Sequence, residues 1–545
     1  MAPDVLAVTC ANLTRKEGFI RYRIDRHDRS QLELKLDYPL RPGVREQAYT
    51  VETFLFIPRV LGLTKNNYSS SDFYGDSVSF LRMTTPQRQL TELTEKSTIK
   101  AWTGDIKSEI AALTGGNSED SKLAEHNIRL IGCVYKGALR TARDELVDAI
   151  RRESESSSVG FFESVDQFVE DVQGAVRRLR KLGKKLSSTE LPASLNESWW
   201  AVDEYVSLLV EETCTQALIE LDRLDKREGL ESRQETLRAI AVSEYHYRRK
   251  QGWETYADPS GSNEYLAHRW RVLKRFVSGV LYVDVDREEV GLLARDIAGV
   301  IAAAMAMLVA TLAILFINEH WPANLSWAFV SAMVAMYVVK DRVKEWGRRG
   351  LGDRLTQNQA DHVLKIRSPV TGDLLGSCSE DLRVGRTQDV ASEVLEIRNR
   401  NLSGHEQIHG RPETVICHTK NIRLSSEALS SSFAGAEGIT DVQRLNIARL
   451  LHRMDDPWES YNFVHPTQGT IESTRCRRVY HVNVILRLST PDGFSQMERC
   501  RAVLNKKGLL RIELFNEDNE PSVVSSAAGS MLEELPAVDI GEDFD

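Results

Sequence analysis

The sequence predicts a multidomain membrane protein. It combines a mainly α N-terminal region with a small β element, a two-helix transmembrane hairpin, and an α+β C-terminal domain with an antiparallel sheet. Three observations predict this. Two apolar runs, Ile297–Ile317 and Trp321–Val339, flank a short polar break, Asn318-Glu319-His320. Apolar side chains recur at three- and four-residue steps between Pro86 and Tyr282, the period of a helix face. Apolar and polar residues alternate from Tyr480 to Leu488, the period of a half-buried strand. The expected units are residues 1–80, 86–285, 290–350, 355–515 and 516–545.

The apolar hairpin organises the rest. Ile297–Ile317 holds 21 residues and no charge. At 1.5 Å per residue it spans roughly 31 Å, matching a bilayer core of about 30 Å. The second run is shorter in strongly apolar residues. Pro322 suits a first helical turn, and Trp321, Trp327 and Tyr337 suit the two interfaces. The connecting loop Asn318–Asn324 has no Lys or Arg. Lys340, Arg342, Lys344, Arg348, Arg349 and Arg354 follow the second helix, and Arg271, Lys274, Arg275, Arg287 and Arg295 precede the first. The positive-inside rule therefore predicts two passes with both termini cytoplasmic. No ionisable side chain lies within either run, which argues against an ion pathway. Gly299 and Ala303, Ala302 and Ala306, Ala306 and Ala310, and Ala328 and Ala332 are each four apart. Such pairs let helices approach closely, within the hairpin or between copies in a homo-oligomer.

Before the hairpin, Leu32, Leu34 and Leu36 alternate with Glu33, Lys35 and Asp37, and Val51, Thr53 and Leu55 mark another strand. Asn66–Phe73 reads as a loop. Helices are expected from Leu90 to Ile110, closed by Gly115-Gly116, then over Ser121–Arg152, Phe161–Lys185, Trp199–Leu224, Glu231–Arg249 and Asn263–Val277. They suggest an antiparallel bundle. Arg177, Arg178, Arg180, Lys181, Lys184 and Lys185 cluster at one helix end and make a candidate lipid-facing basic patch.

After the hairpin, Lys340–Arg354 extends the second helix until Gly350 and Gly352 end it. His362–Arg367 and Asp373–Ser379 form a hairpin about Thr371-Gly372. Thr387–Arg400 and Thr440–Met454 read as helices, the second capped at Thr440-Asp441. Tyr480–Leu488, Met497–Leu504 and Leu509–Phe515 form a meander. No basic residue follows Arg511, while nine acidic residues lie between Asn516 and Asp545. Without them the acidic count equals the basic count of 70, so the net charge of −9 belongs to an acidic, disordered tail from Asn516 to Asp545. That tail is a candidate contact for a basic protein partner. The neutral body argues against nucleic acid. Seven scattered cysteines without C-x-x-C suit a reducing compartment.

One motif carries chemistry. His405-Glu406-Gln407-Ile408-His409 matches H-E-x-x-H, and over these five residues it resembles the zinc-peptidase signature. The resemblance implies a zinc ion held by His405 and His409, with Glu406 as general base. Gly404 and Gly410-Arg411-Pro412 bound the motif with helix breakers. No third His follows at the metzincin position, and a third ligand from a distant Glu, Glu427 or Glu437, stays open. No phosphate loop, nucleophile elbow or kinase signature occurs. The sequence therefore assigns no catalytic residue, metal or cofactor. It predicts a non-enzymatic membrane-anchored interaction, scaffolding or signal-relay protein, with a membrane-bound zinc metallopeptidase as the alternative.

Overall fold

The computed structural model describes residues 20–41, 43–85, 88–94, 118–155, 160–187, 192–224, 229–290, 292–320, 327–356, 360–400, 412–432, 436–515 and 521–524. The chain opens with β1 (Arg21–Arg26), β2 (Gln31–Pro39) and β3 (Glu46–Pro58). Helix α1 (Ser70–Asp76), strand β4 (Ser77–Met83) and the short α2 (Leu90–Thr94) follow. Five helices come next: α3 (Ser118–Glu155), α4 (Phe161–Ser187), α5 (Ala193–Leu221), α6 (Leu230–Gln251) and α7 (Glu264–Gly279). Strand β5 (Asp284–Glu289) leads into α8 (Leu292–His320) and α9 (Trp327–Thr356). Beyond them lie β6 (His362–Arg367), β7 (Leu374–Arg386), α10 (Ser392–Asn399), β8 (Glu413–Ser425) and α11 (Ser426–Ser432). Strand β9 (Gly438–Asn446), α12 (Ala448–Leu451) and the hairpin β10 (Trp458–Val464) with β11 (Ile471–Arg477) follow. The chain closes with β12 (Tyr480–Ser489), β13 (Ser495–Asn505), β14 (Gly508–Phe515) and β15 (Pro521–Val524).

Among the described residues the fold class is α+β, with antiparallel sheets. A four-stranded sheet has the order β1-β2-β9-β4, and a nine-stranded sheet runs β15-β14-β13-β12-β3-β8-β7-β6-β5. The predicted terminal meander is β12–β13–β14, and the hairpin about Gly372 is β6–β7. The two sheets pack face to face. Leu34, Leu36 and Tyr38 of β2 and Tyr49, Val51 and Leu55 of β3 belong to one buried cluster. The opposite face of β3 offers Phe54 and Phe56, which α10 covers with Val394.

The division at residue 80 is corrected here. β3 lies between β12 and β8 at the centre of the large sheet, and β2 pairs with β9. Three N-terminal strands have one apolar face and nothing of their own to cover it, so they complete sheets begun 400 residues later. The helical unit does not end the other way either. After α7, Met83 N–H donates to the Leu281 carbonyl at 2.6 Å, and Val283 N–H donates to Leu81 at 3.3 Å. The chain then enters the large sheet as β5.

Other local expectations change for stated reasons. Thr440–Met454 is β9 plus α12, not one helix, because Asp441 and Gln443 reach partners on β8. Asn66–Phe73 is partly helical: Ser69 caps α1 with a reciprocal Ser69–Asp72 box. Gly350 and Gly352 do not stop α9, which continues to Thr356. The polar break at Asn318 lies within α8, which runs on to His320. Pro521–Val524 pairs with β14, so the tail's first apolar residues extend the sheet. The remainder of the tail, the helix beyond Thr94, the turn at 321–326 and the H-E-x-x-H motif lie outside the described residues.

Candidate functional site

The feature with the clearest physical signature is the helix pair α8–α9. A core helix of a soluble protein turns its large apolar side chains inward. α8 does the reverse. Ala298, Ala302, Ala306 and Ala310 are its buried residues, whereas Val300 is 70% exposed, Met307 62%, Leu308 60% and Leu315 60%. The alanine stripe packs against α9: a Cβ built on Gly347 would lie 3.1 Å from the Cβ of Ala302. Small residues inside and large apolar residues outside suit lipid as the surrounding medium. Asp296–Leu315, 20 residues, is long and apolar enough to cross a membrane.

The expected second span is not found. Among the described residues α8 alone meets the length and apolarity requirement. In α9 the charges begin at Lys340, so Trp327–Val339 offers only about 20 Å of apolar helix against a core of about 30 Å. The contact of Gly347 with Ala302 also sets the charged half of α9 beside the apolar first half of α8.

The pair is rooted in one sheet edge. β5 enters α8, β6 leaves α9, and the two strands pair from Asp284↔Arg367 to Glu289↔His362. Lys365 and Arg367 on β6 bind Glu288 and Asp286 on β5, at 2.6 and 3.0 Å.

Two buried charge clusters stiffen the body. Between the sheets, the Lys420 ammonium of β8 lies 2.7 Å from Asp441 on β9 and 3.2 Å from Glu380 on β7. Lys420 also donates to Ser79 Oγ on β4 at 3.1 Å, and Ser79 donates to Asp441 at 2.7 Å. Burial alone would make Lys420 less basic; Asp441 and Glu380 outweigh it and raise its pKa. Two residues away, His418 contacts Gln443 through Nδ1 at 3.3 Å, while Nε2 has no partner among the described residues. Burial, then the Lys420 charge, pushes the His418 pKa well down. In the bundle, Arg248 is fully buried. It donates to Thr255 O at 2.8 Å and Ser207 Oγ at 3.0 Å, and pairs with Glu211. Arg269 holds Glu204 at 2.7 Å.

The predicted basic patch is divided by this interior. Arg180 turns inward: it pairs with Asp203 and with Glu244 at 2.7 Å, and stacks over Tyr247 at 3.6 Å. It cannot face lipid. Arg177, Lys181 and Lys184 are exposed, and Arg178 is half-buried. Lys185 is helical, and its side chain is outside the description. His405, Glu406 and His409 lie outside the described residues, so the zinc alternative has no geometry to rest on. Among the described residues no three His, Cys, Asp or Glu side chains are grouped to hold a metal.

Sequence reading missed both charge clusters. One signal was available: β8 places Ile416, His418, Lys420, Ile422 and Leu424 on one alternating face, so His418 and Lys420 occupy core positions. The bundle arginines carried no comparable signal, because a helix distributes charges on several faces.

No protein-family model matches the chain, and no curated protein is significantly similar to it. What the fold itself defines is an α+β protein carrying, among the described residues, one helix long and apolar enough to cross a membrane.

Proposed function

We propose that this is a membrane-anchored protein whose α8–α9 pair inserts as a hairpin and holds both soluble portions on the cytoplasmic face. Its function is interaction: scaffolding, or relaying a state between the helical bundle and the sheet sandwich. The observation that carries the reading is the outward apolar face of α8 on a helix pair rooted in adjacent antiparallel strands. Strands β5 and β6 side by side favour an even number of crossings. The cations flanking the pair favour the cytoplasmic side for that root. A relay has a continuous route, since α7 leads through the contact with β4 into β5 and then α8.

The test is recovery of the full chain from native membranes. The reading expects the protein to resist alkaline carbonate extraction and to co-purify reproducibly with a defined partner after mild cross-linking. Replacing Val300 and Leu308 with Asp should release it, because a charge near a span's centre costs about 3 kcal/mol on insertion scales. A wild-type chain washed off by carbonate would defeat the anchor. A retained chain with no reproducible partner would defeat the interaction role.

A further inference from the structure

We propose that the tip of the β10–β11 hairpin inserts into the headgroup interface of an anionic bilayer, as a membrane contact additional to α8–α9. The hairpin stands apart from the body. Among the described residues its strands form a sheet of their own, joined to neither larger sheet. No side chain from Asp455 to Tyr480 is buried. Two paired strands without a core are marginal in water, so this element needs something to cover it. Both of its ends are nevertheless fixed. At the root, Arg478 N–H donates to the Pro457 carbonyl at 3.0 Å, and its guanidinium pairs with Glu459 at 2.9 Å. Tyr480 Oη donates to Asp455 at 2.8 Å, and Lys506 from the β13–β14 turn binds Asp456 at 2.9 Å. At the tip, His465 N–H donates to the Thr470 carbonyl at 2.8 Å. Its Nδ1 accepts from the Thr467 and Gln468 N–H groups, both at 3.3 Å.

The hairpin's chemistry is graded along its length. Ser460 to Ile471 contains no Asp, Glu, Lys or Arg. Within that stretch Tyr461 and Val464 are exposed, and Ile471, opposite Val464, is 83% exposed. The register puts Val464 and Ile471 on one face and Tyr461 and Phe463 on the other. A protein groove would cover one face; a tip that is apolar on both suits a medium that surrounds it. Charges gather toward the root. Arg475 and Arg477, both exposed, share the face of Val464 and Ile471, and Arg477 lies over the Trp458 ring at 5.0 Å. An apolar tip backed by Trp, Tyr and Arg matches the layers of a bilayer interface, with the arginines at the level of anionic headgroups. The outer edges of the two strands keep unpaired backbone groups, so the tip stops at a depth where water still reaches them. The root is also at the right end of the large sheet. From His362, beside the start of α8, the registers His362↔Glu380, Arg386↔Thr414, Pro58↔Glu413 and Asn483↔Phe56 lead to the end where β12 begins. The inference rests on the membrane-anchor reading for its bilayer, but not on how α8–α9 enters it.

The test uses the full chain, with Cys10 and Cys476 replaced by Ser, in nanodiscs of phosphatidylcholine and phosphatidylglycerol. An environment-sensitive fluorophore is attached at Ile471→Cys. Its quenching by nitroxide-labelled lipid is compared with its quenching by aqueous iodide. The proposal expects quenching by the lipid and shielding from iodide. Val464→Asp, a change at an exposed position, should reverse both. Arg475→Gln with Arg477→Gln should lower the inserted population by about fivefold for each cation removed. The same fluorophore at Leu308→Cys reports on α8 separately. Lipid quenching at 308 but not at 471 would overturn the hairpin proposal alone, and quenching at neither would overturn the anchor as well. Quenching at 471 without 308 would support the hairpin and count against insertion of the helix pair. Shielding from iodide without lipid quenching would mean that a protein partner or a second copy covers the tip, and would overturn the proposal. So would lipid quenching that both variants leave unchanged.

Discussion

Lys420 has two carboxylates within 3.2 Å and almost no contact with water, so its charge is structural. Lys420→Met would strand Asp441 and Glu380 in the space between the sheets. Breaking a buried ion cluster on one side costs about 3–5 kcal/mol. Urea denaturation of the detergent-solubilised chain should show that loss, and Lys420→Met combined with Asp441→Asn should recover part of it. A loss under about 1 kcal/mol would mean that water reaches the cluster. His126 gives a second residue-level expectation. Burial, then Arg129, lowers its pKa from 6.5 to about 4. Between those values the unfolded chain binds more protons than the folded one, so stability falls as pH falls. The loss should reach up to about 3 kcal/mol by pH 4. The melting temperature of the wild type should therefore fall relative to that of His126→Leu as pH drops from 6.5 to 4. Parallel pH profiles would contradict the assignment. These sites were hard to read in sequence because a buried charge is defined by its partner. Lys420 and Asp441 are close in sequence but belong to different sheets. Arg180 and Glu244 are 64 residues apart.

Elements were legible where one period ran unbroken. The alternation at Leu32, Leu34 and Leu36 and at Val482, Val484, Leu486 and Leu488 corresponds to β2 and β12, and the stripe from Val165 to Leu182 corresponds to α4. Legibility failed where tertiary pairing overrode local preference. Thr440-Asp441 reads as a helix cap, yet β9 is held on both sides, by β2 and β4. The helix pair was legible as apolar, but its register was not. That register can be tested. Ala302→Cys and Gly347→Cys should cross-link on mild oxidation, since their Cβ positions are near disulfide range. Mass spectrometry of the digested protein would detect the linked peptide. Val300→Cys with Gly347→Cys should not link, because Val300 faces outward. The reverse pattern would mean that the alanine stripe is not the seam between α8 and α9.

At the scale of the whole molecule, β3 is the strand that joins the ends of the chain. It pairs with β8 over its full length and with β12 beyond, which draws residues 46–58 into the C-terminal sheet. Nothing local in the sequence announces such a pairing, since strand partners are chosen by burial and register across hundreds of residues. Its consequence is topological. A body built from both flanks of the helix pair must lie on one side of any membrane that the pair enters. Cysteine accessibility tests this most directly. In a chain with Cys10 and Cys476 replaced by Ser, single cysteines would be placed at Trp200 and His452, both exposed on the body. A third would be placed in the turn at 321–326. In intact cells, the account predicts that an impermeant thiol reagent leaves the first two unlabelled until the membrane is opened, and labels the third. Labelling of one body site and protection of the other would contradict it, because the two portions could not then share the sheet.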